Sequence, residues 1–140
     1  MKALINKALD TIWEEMCAPN LKFRTPDNRE GSPFTTVNFD NDSVWIKTGN
    51  ENRPPWIIKK KAFFEALRYL DAFQHGPDNQ CEIASNTNPE LAGPLDLATR
   101  KANTEDGRPG PRVITYIAPM LAATGLVALD GQRPNKVWLA

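Results

Sequence analysis

The closing segment of the chain, residues 113–140, constrains the fold more than any other stretch. It reads VITYIAPMLAATGLVALDGQRPNKVWLA. An apolar run stops at Gly125, and two strand-like runs, LVAL and KVWL, flank turn-forming residues, which predicts a hairpin. Pro119 is tolerated only near the start of a helix, because the first N–H groups have no partner within it. We therefore expect a helix that begins near Thr115 or Tyr116 and ends at Gly125.

A helix, a strand and a second helix precede this segment. Residues 60–74 carry one apolar stripe of helical spacing, and His75-Gly76-Pro77 is a stop signal in which Gly76 can take a positive φ. A short strand is expected at 81–84. Asn88-Pro89 can open a helix at 89–102, which Gly93-Pro94 can shorten to 95–102.

The first part of the chain predicts one helix and a small hairpin. Residues 2–17 have the spacing of an amphipathic helix, whose apolar stripe faces the core or docks a second copy or another protein. Residues 20–33 are polar and are expected to form a loop. The β-branched and aromatic runs at 34–39 and 44–48 flank DNDS, which predicts a hairpin, and WII at 56–58 can add a third strand.

The expected fold class is α+β. The order helix, strand, helix, helix, strand, strand over residues 59–140 resembles a winged-helix domain, a variant of the helix-turn-helix. Residues 1–58 would then be an appendage of helix and hairpin, unless the whole chain forms one compact unit.

The resemblance implies that the third helix enters the major groove of DNA and that the wing contacts the backbone. The start of the helix would present Arg112, Thr115 and Tyr116, with Arg108 in the loop before it. The wing would present Arg133 and Lys136. Because this helix offers few side chains that can read base edges, backbone and wing contacts are expected to carry most of the affinity for double-stranded DNA.

Charge and composition leave a second function open. The chain has 17 basic and 17 acidic residues, which argues against a general polyanion binder, although the tail from Gly107 to Ala140 is locally basic. The alternative is a protein-interaction module such as an inhibitor, adaptor or assembly subunit, which would bind a protein partner or a second copy of itself through the 2–17 helix. Zero net charge, a third helix with few polar side chains and the apolar stripe of the 2–17 helix favour it.

No enzymatic activity is predicted. A serine or cysteine nucleophile activated by a histidine would have to use His75, the only histidine. The favourable interaction of a histidine with the end of a helix dipole explains its position without a catalytic role. Neither a phosphate-binding glycine loop nor a metal-ligand pattern occurs, and Asp78 with Glu82 lacks the nearby lysine of a metal nuclease. We therefore expect no catalytic residue, no metal and no cofactor.

Three further features are open to more than one reading. Lysines 59–61 oppose a helix dipole, so an acidic neighbour, a bound phosphate or a solvated face must account for them. Trp45 and Trp56 belong to a core or to an aromatic pocket. Cys17 and Cys81 are expected to be free thiols, and with neither a secretory leader nor a membrane span in the sequence, the cytoplasm is the expected location.

Overall fold

The computed structural model describes residues 2–27, 31–49 and 54–140. These residues form an α+β structure with four α-helices and two antiparallel sheets, which confirms the expected class. The helices are α1 (Lys2–Cys17), α2 (Lys60–Ala72), α3 (Pro94–Ala102) and α4 (Ile114–Ala123).

The first sheet has four strands in the order β1-β2-β3-β4. They are β1 (Lys22–Arg24), β2 (Pro33–Phe39), β3 (Ser43–Thr48) and β4 (Trp56–Lys59). The hairpin and the third strand expected from the sequence are confirmed. The expected loop at 20–33 is partly wrong, because residues 22–24 pair with β2, with Phe23 opposite Phe34.

The second sheet has three strands in the order β5-β7-β6. They are β5 (Cys81–Glu82), β6 (Val127–Asp130) and β7 (Lys136–Leu139). The expected C-terminal hairpin is confirmed as β6 and β7, with Leu129 opposite Val137. The strand expected at 81–84 is shorter, since Gly93 rather than a strand partner donates its N–H to the carbonyl of Ala84.

Helix ends follow the sequence signals in part. A 3-10 turn at Pro89–Leu91 precedes α3, so the interruption at Gly93-Pro94 is confirmed. Gly125 follows α4 with a φ of 83°, the expected stop. After α2, however, Gln74 takes the positive φ that was expected at Gly76.

Helix α4 begins at Ile114, slightly earlier than expected, and this places Pro119 inside the helix. Proline has no N–H to donate to the carbonyl of Thr115, one turn back. The helix is apolar and six of its ten residues are buried, Pro119 among them. Packing on nearly all sides therefore holds the helix together despite the missing hydrogen bond.

One hydrophobic core joins the two parts of the chain. Trp13 of α1 packs edge-on against Phe63 of α2 at 5.2 Å, and its indole N–H donates to the carbonyl of Asp40 at 2.7 Å. Most of the α1 stripe thus faces the core. Buried residues of the first sheet and of the later helices belong to the same cluster, including Phe34, Val44, Ile46, Ile58, Leu95, Ile117 and Met120.

Candidate functional site

A polar groove of about 480 Å³ lies where the loop after β1, strand β5, the start of α4 and the turn of the C-terminal hairpin meet. It brings together three of the six residues predicted to bind DNA, namely Arg112, Thr115 and Arg133. Its remaining lining residues are Thr25, Pro26, Asp27, Ser32, Glu82, Ile83, Ala84, Ser85, Pro134 and Asn135.

The start of α4 supplies one cation and one hydroxyl to this groove. Arg112 is exposed and forms no ion pair with the described part of the chain. Thr115 is half-buried and lies in the first turn of α4, three residues after Arg112. Val113 precedes the helix and has no side chain that could cap it, and the first turn holds no acidic residue.

The hairpin turn supplies a second arginine, and an acidic residue of the N-terminal part holds it. The Nε and Nη2 atoms of Arg133 each lie 2.8 Å from Oδ2 of Asp27. The side chain of Asp27 is 18% exposed and that of Arg133 59% exposed, so the carboxylate is the more shielded member of the pair. The turn itself is fixed by Asn135, whose amide donates to the carbonyls of Gly131 and Gln132.

Strand β5 places an acidic residue, Glu82, on the wall of the polar groove. Glu82 is exposed and lies opposite Lys136 in the register of β5 and β7. Lys136 is half-buried and does not line the groove. In the register of β6 and β7 it lies opposite Asp130. Beside it, burial raises the pKa of the Cys81 thiol to about 11, with a smaller contribution from the charge of Glu82.

Tyr116 does not reach the groove. Its ring packs edge-on against Phe34 at 5.0 Å and Trp56 at 4.9 Å, so the expectation that it is presented at an exposed helix start is wrong. The first sheet covers this side of α4, and the apolar surface that the contact removes from water explains why Tyr116 is half-buried. Trp56 therefore reads as a packing residue rather than as part of an open aromatic pocket.

Arg108 lies apart from the groove, in the exposed loop between α3 and α4. Its Nε is 3.8 Å from a carboxylate oxygen of Asp106, and both side chains are largely exposed. Such a pair adds little stability and leaves the guanidinium accessible. Arg108 is thus separate from the set formed by Arg112 and Arg133.

The lysines at the start of α2 have protein partners. Lys59 pairs with Glu105 and Lys60 with Asp10, while Nζ of Lys61 donates to the carbonyl of Thr104 at 3.1 Å. The acidic-neighbour explanation is therefore the one the structure bears out for Lys59 and Lys60. Together with residues of α1 and of the β2–β3 turn, these lysines line a second cavity of about 510 Å³, in which Lys60 is paired with Asp10.

A third recess, which we call the apolar groove, lies between the first half of α1, the second half of α2 and the two strands of the C-terminal hairpin. It has a volume of about 160 Å³ and is lined by Leu4, Ile5, Ala8, Leu67, Asp71, Leu126 and Leu139. Leu4 is 65% exposed, so the beginning of the α1 stripe extends beyond the core.

Other kinds of site are not seen in the described ranges. Residues 2–27, 31–49 and 54–140 contain no cluster of three histidine, cysteine or acidic residues able to hold a metal ion. Within the same ranges, no helix combines the length and the apolar character that crossing a bilayer requires. Nδ1 of His75 donates a hydrogen bond to the carbonyl of Asn79 at 2.7 Å, and the ring stacks on Tyr69.

Comparison of the chain with family models, with curated proteins and with solved structures gives no match. The sequence predicted the two arginines and Thr115 of the polar groove, but not Thr25, Asp27 or Ser32. Those residues lie in a polar loop more than 100 positions from the hairpin turn, and no local pattern signals such a contact.

Proposed function

We propose that the chain is a nucleic-acid-binding protein in which residues 59–140 form a winged-helix domain and the polar groove is the contact site. The observation that carries the proposal is the convergence of Arg112, Thr115 and Arg133 on one groove. In this assignment β6 and β7 are the two strands of the wing, and α4 is the third helix. Strand β5 pairs with β7 beside them.

The chemistry of the groove suits backbone contacts rather than base reading. Arginine binds phosphate oxygens in a bidentate manner, and threonine, serine and asparagine side chains donate to phosphate and sugar oxygens. Arg112 and Arg133 provide the first kind of group and Thr115, Ser32 and Asn135 the second. Contacts of this type set register and affinity but carry little sequence information.

The test is the binding of a fluorescent oligonucleotide of mixed sequence at low and moderate salt. We expect salt-sensitive binding that Arg112→Ala and Arg133→Ala each weaken, while Lys101→Ala serves as the control. Lys101 is an exposed cation on α3 that does not line the groove. Absence of binding at low salt, or equal weakening by all three variants, would remove the proposal.

A second candidate function is a protein-interaction module on the same scaffold. It is favoured by the apolar groove, which the exposed Leu4 lines together with Leu126 and Leu139. The occupant would be a second copy or a protein partner that approaches the start of α1. This candidate predicts a stable complex on a sizing column that Leu4→Ser disrupts, with no affinity for oligonucleotides. The two buried free thiols suit a reducing compartment under either function.

A further inference from the structure

The geometry points to a ligand class for the polar groove: one nucleic-acid strand or a strand end, rather than the major groove of a duplex. This inference rests on the proposed nucleic-acid binding and specifies its substrate. Three observations carry it, namely the burial of α4, the size of the groove and the distribution of charge along its walls.

Helix α4 has no free face to offer a duplex. Insertion into a major groove requires an exposed helix side whose residues reach the base edges. Of the ten residues of α4, only Ala123 is exposed. The first sheet covers the side of Tyr116 through Phe34 and Trp56, and the core covers the opposite side. A duplex therefore cannot place this helix in its groove without dismantling the core.

The polar groove is the size of a small-ligand cavity. Its volume of about 480 Å³ lies within the range of cavities that enclose ligands of low molecular weight. A duplex, whose major groove alone is about 12 Å wide, can touch only the rim of such a recess. A single strand is narrow enough for one phosphate and its sugar to enter the polar groove. There the hydroxyl groups of Thr115, Thr25 and Ser32 can bind them.

The charges of the groove favour a phosphate on the side of α4. Asp27 is engaged by Arg133, and the carboxylate of Glu82 lies on the wall that β5 forms rather than at the start of α4. Arg112 is the groove cation that has no ion-pair partner in the described ranges. A phosphate entering the groove would meet Arg112 and the hydroxyl of Thr115 at the start of one helix.

The test compares a labelled single strand with the blunt duplex of the same sequence by fluorescence anisotropy at low salt. We expect tighter binding of the single strand. Thr115→Val, which keeps the side-chain shape, should weaken single-strand binding about threefold to tenfold, the effect of one hydrogen bond, and leave duplex binding unchanged. Asp27→Asn should strengthen single-strand binding, because it removes a negative charge from the groove wall.

The outcomes separate this inference from the function on which it rests. A duplex that binds as tightly as the single strand, with no effect of Thr115→Val on either, overturns the inference and leaves nucleic-acid binding intact. Failure of both oligonucleotides to bind at low salt overturns the proposed function itself. Lys101→Ala is the control for general charge, and the unfolding midpoint of Thr115→Val shows whether the variant is folded.

Discussion

The side chain of Asn103 completes the outer edge of β4 by accepting a hydrogen bond from the backbone N–H of Lys59 at 2.7 Å. Its amide group also approaches the carbonyl of Ile57 at 3.4 Å. A residue at the end of α3 thus takes the place of a fifth strand and fastens the N-terminal sheet to the remainder of the chain. Covering an edge in this way also blocks pairing with another chain.

Asn103→Ala should lower the free energy of unfolding by about 1–2 kcal/mol, because it leaves the partly buried N–H of Lys59 without an acceptor. Urea unfolding followed by tryptophan fluorescence measures the change. Asn103→Asp is the matched control, since it keeps the acceptor and loses only the longer contact. Equal stability of Asn103→Ala and the parent chain would contradict this role.

Arg100→Met should destabilise the fold by about 3–5 kcal/mol, since it leaves the carboxylate of Asp96 buried without its partner. The two side chains are almost completely buried and form two hydrogen bonds of 2.6 and 3.0 Å. Asp96 also accepts from the N–H of Asn86, and so fixes the segment that follows the groove wall. Lys101→Met, at the exposed neighbouring position, is the control, and a similar loss in both variants would contradict the prediction.

Stability should fall as the pH rises above about 9. Burial raises the pKa of the Cys17 thiol from 9.0 to about 12 and that of Cys81 from 9.0 to about 11. Below pH 9 both thiols are protonated in the folded and unfolded chains, and they add no pH dependence. Above it the unfolded chain loses these protons first, which favours unfolding until the folded thiols also ionise.

Unfolding in urea between pH 8 and pH 10.5 tests this prediction. The parent chain should lose stability over that interval, and Cys17→Ala should show a smaller loss because one of the two thiols is gone. Because the substitution also changes the packing around position 17, the two chains are compared by the slope of stability against pH and not by absolute stability. An identical slope in both chains would show that Cys17 does not titrate as its burial requires.

Ser85→Ala should leave stability unchanged or raise it by up to about 1 kcal/mol. The hydroxyl oxygen of Ser85 is buried and has no hydrogen-bond partner among the described residues. Removing an unpaired buried polar group abolishes its desolvation cost, whereas removing a paired one is destabilising. Thermal unfolding checks the sign, and a clear loss of stability would reveal a partner for this oxygen. Ser43→Ala, another buried serine, provides a comparison for the loss of side-chain volume.

Local sequence patterns predicted most of the helices and strands. The features that they did not predict depend on contacts between residues far apart in the sequence. The helix at 60–74 and the hairpins at 34–48 and 126–139 follow from periodicity and turn residues, which act over a few positions. Strand β1 was missed because KFR is too short to show an alternating pattern, and its pairing depends on Phe34. The sequence also does not predict that Tyr116 is half-buried, because the rings that cover it, Phe34 and Trp56, are distant in sequence.

The candidate site was predictable only in part. Arg112, Thr115 and Arg133 follow from the order of elements at the end of the chain. Asp27, which holds Arg133, could not be found from the sequence, because the contact joins a polar loop to a hairpin turn 106 positions away. Arg108 and Lys136 have the right charge but lie outside the groove that the fold creates.

The most direct measurement is a map of amide chemical shifts on the labelled protein as a single-stranded oligonucleotide is added at low salt. We expect changes confined to the groove walls, around Thr25, Glu82, Arg112, Thr115 and Asn135. The Lys101 amide should stay unperturbed. No changes at any amide, or changes gathered around Leu4, Leu126 and Leu139, would contradict binding in the polar groove. The second of these results would favour the protein-interaction module.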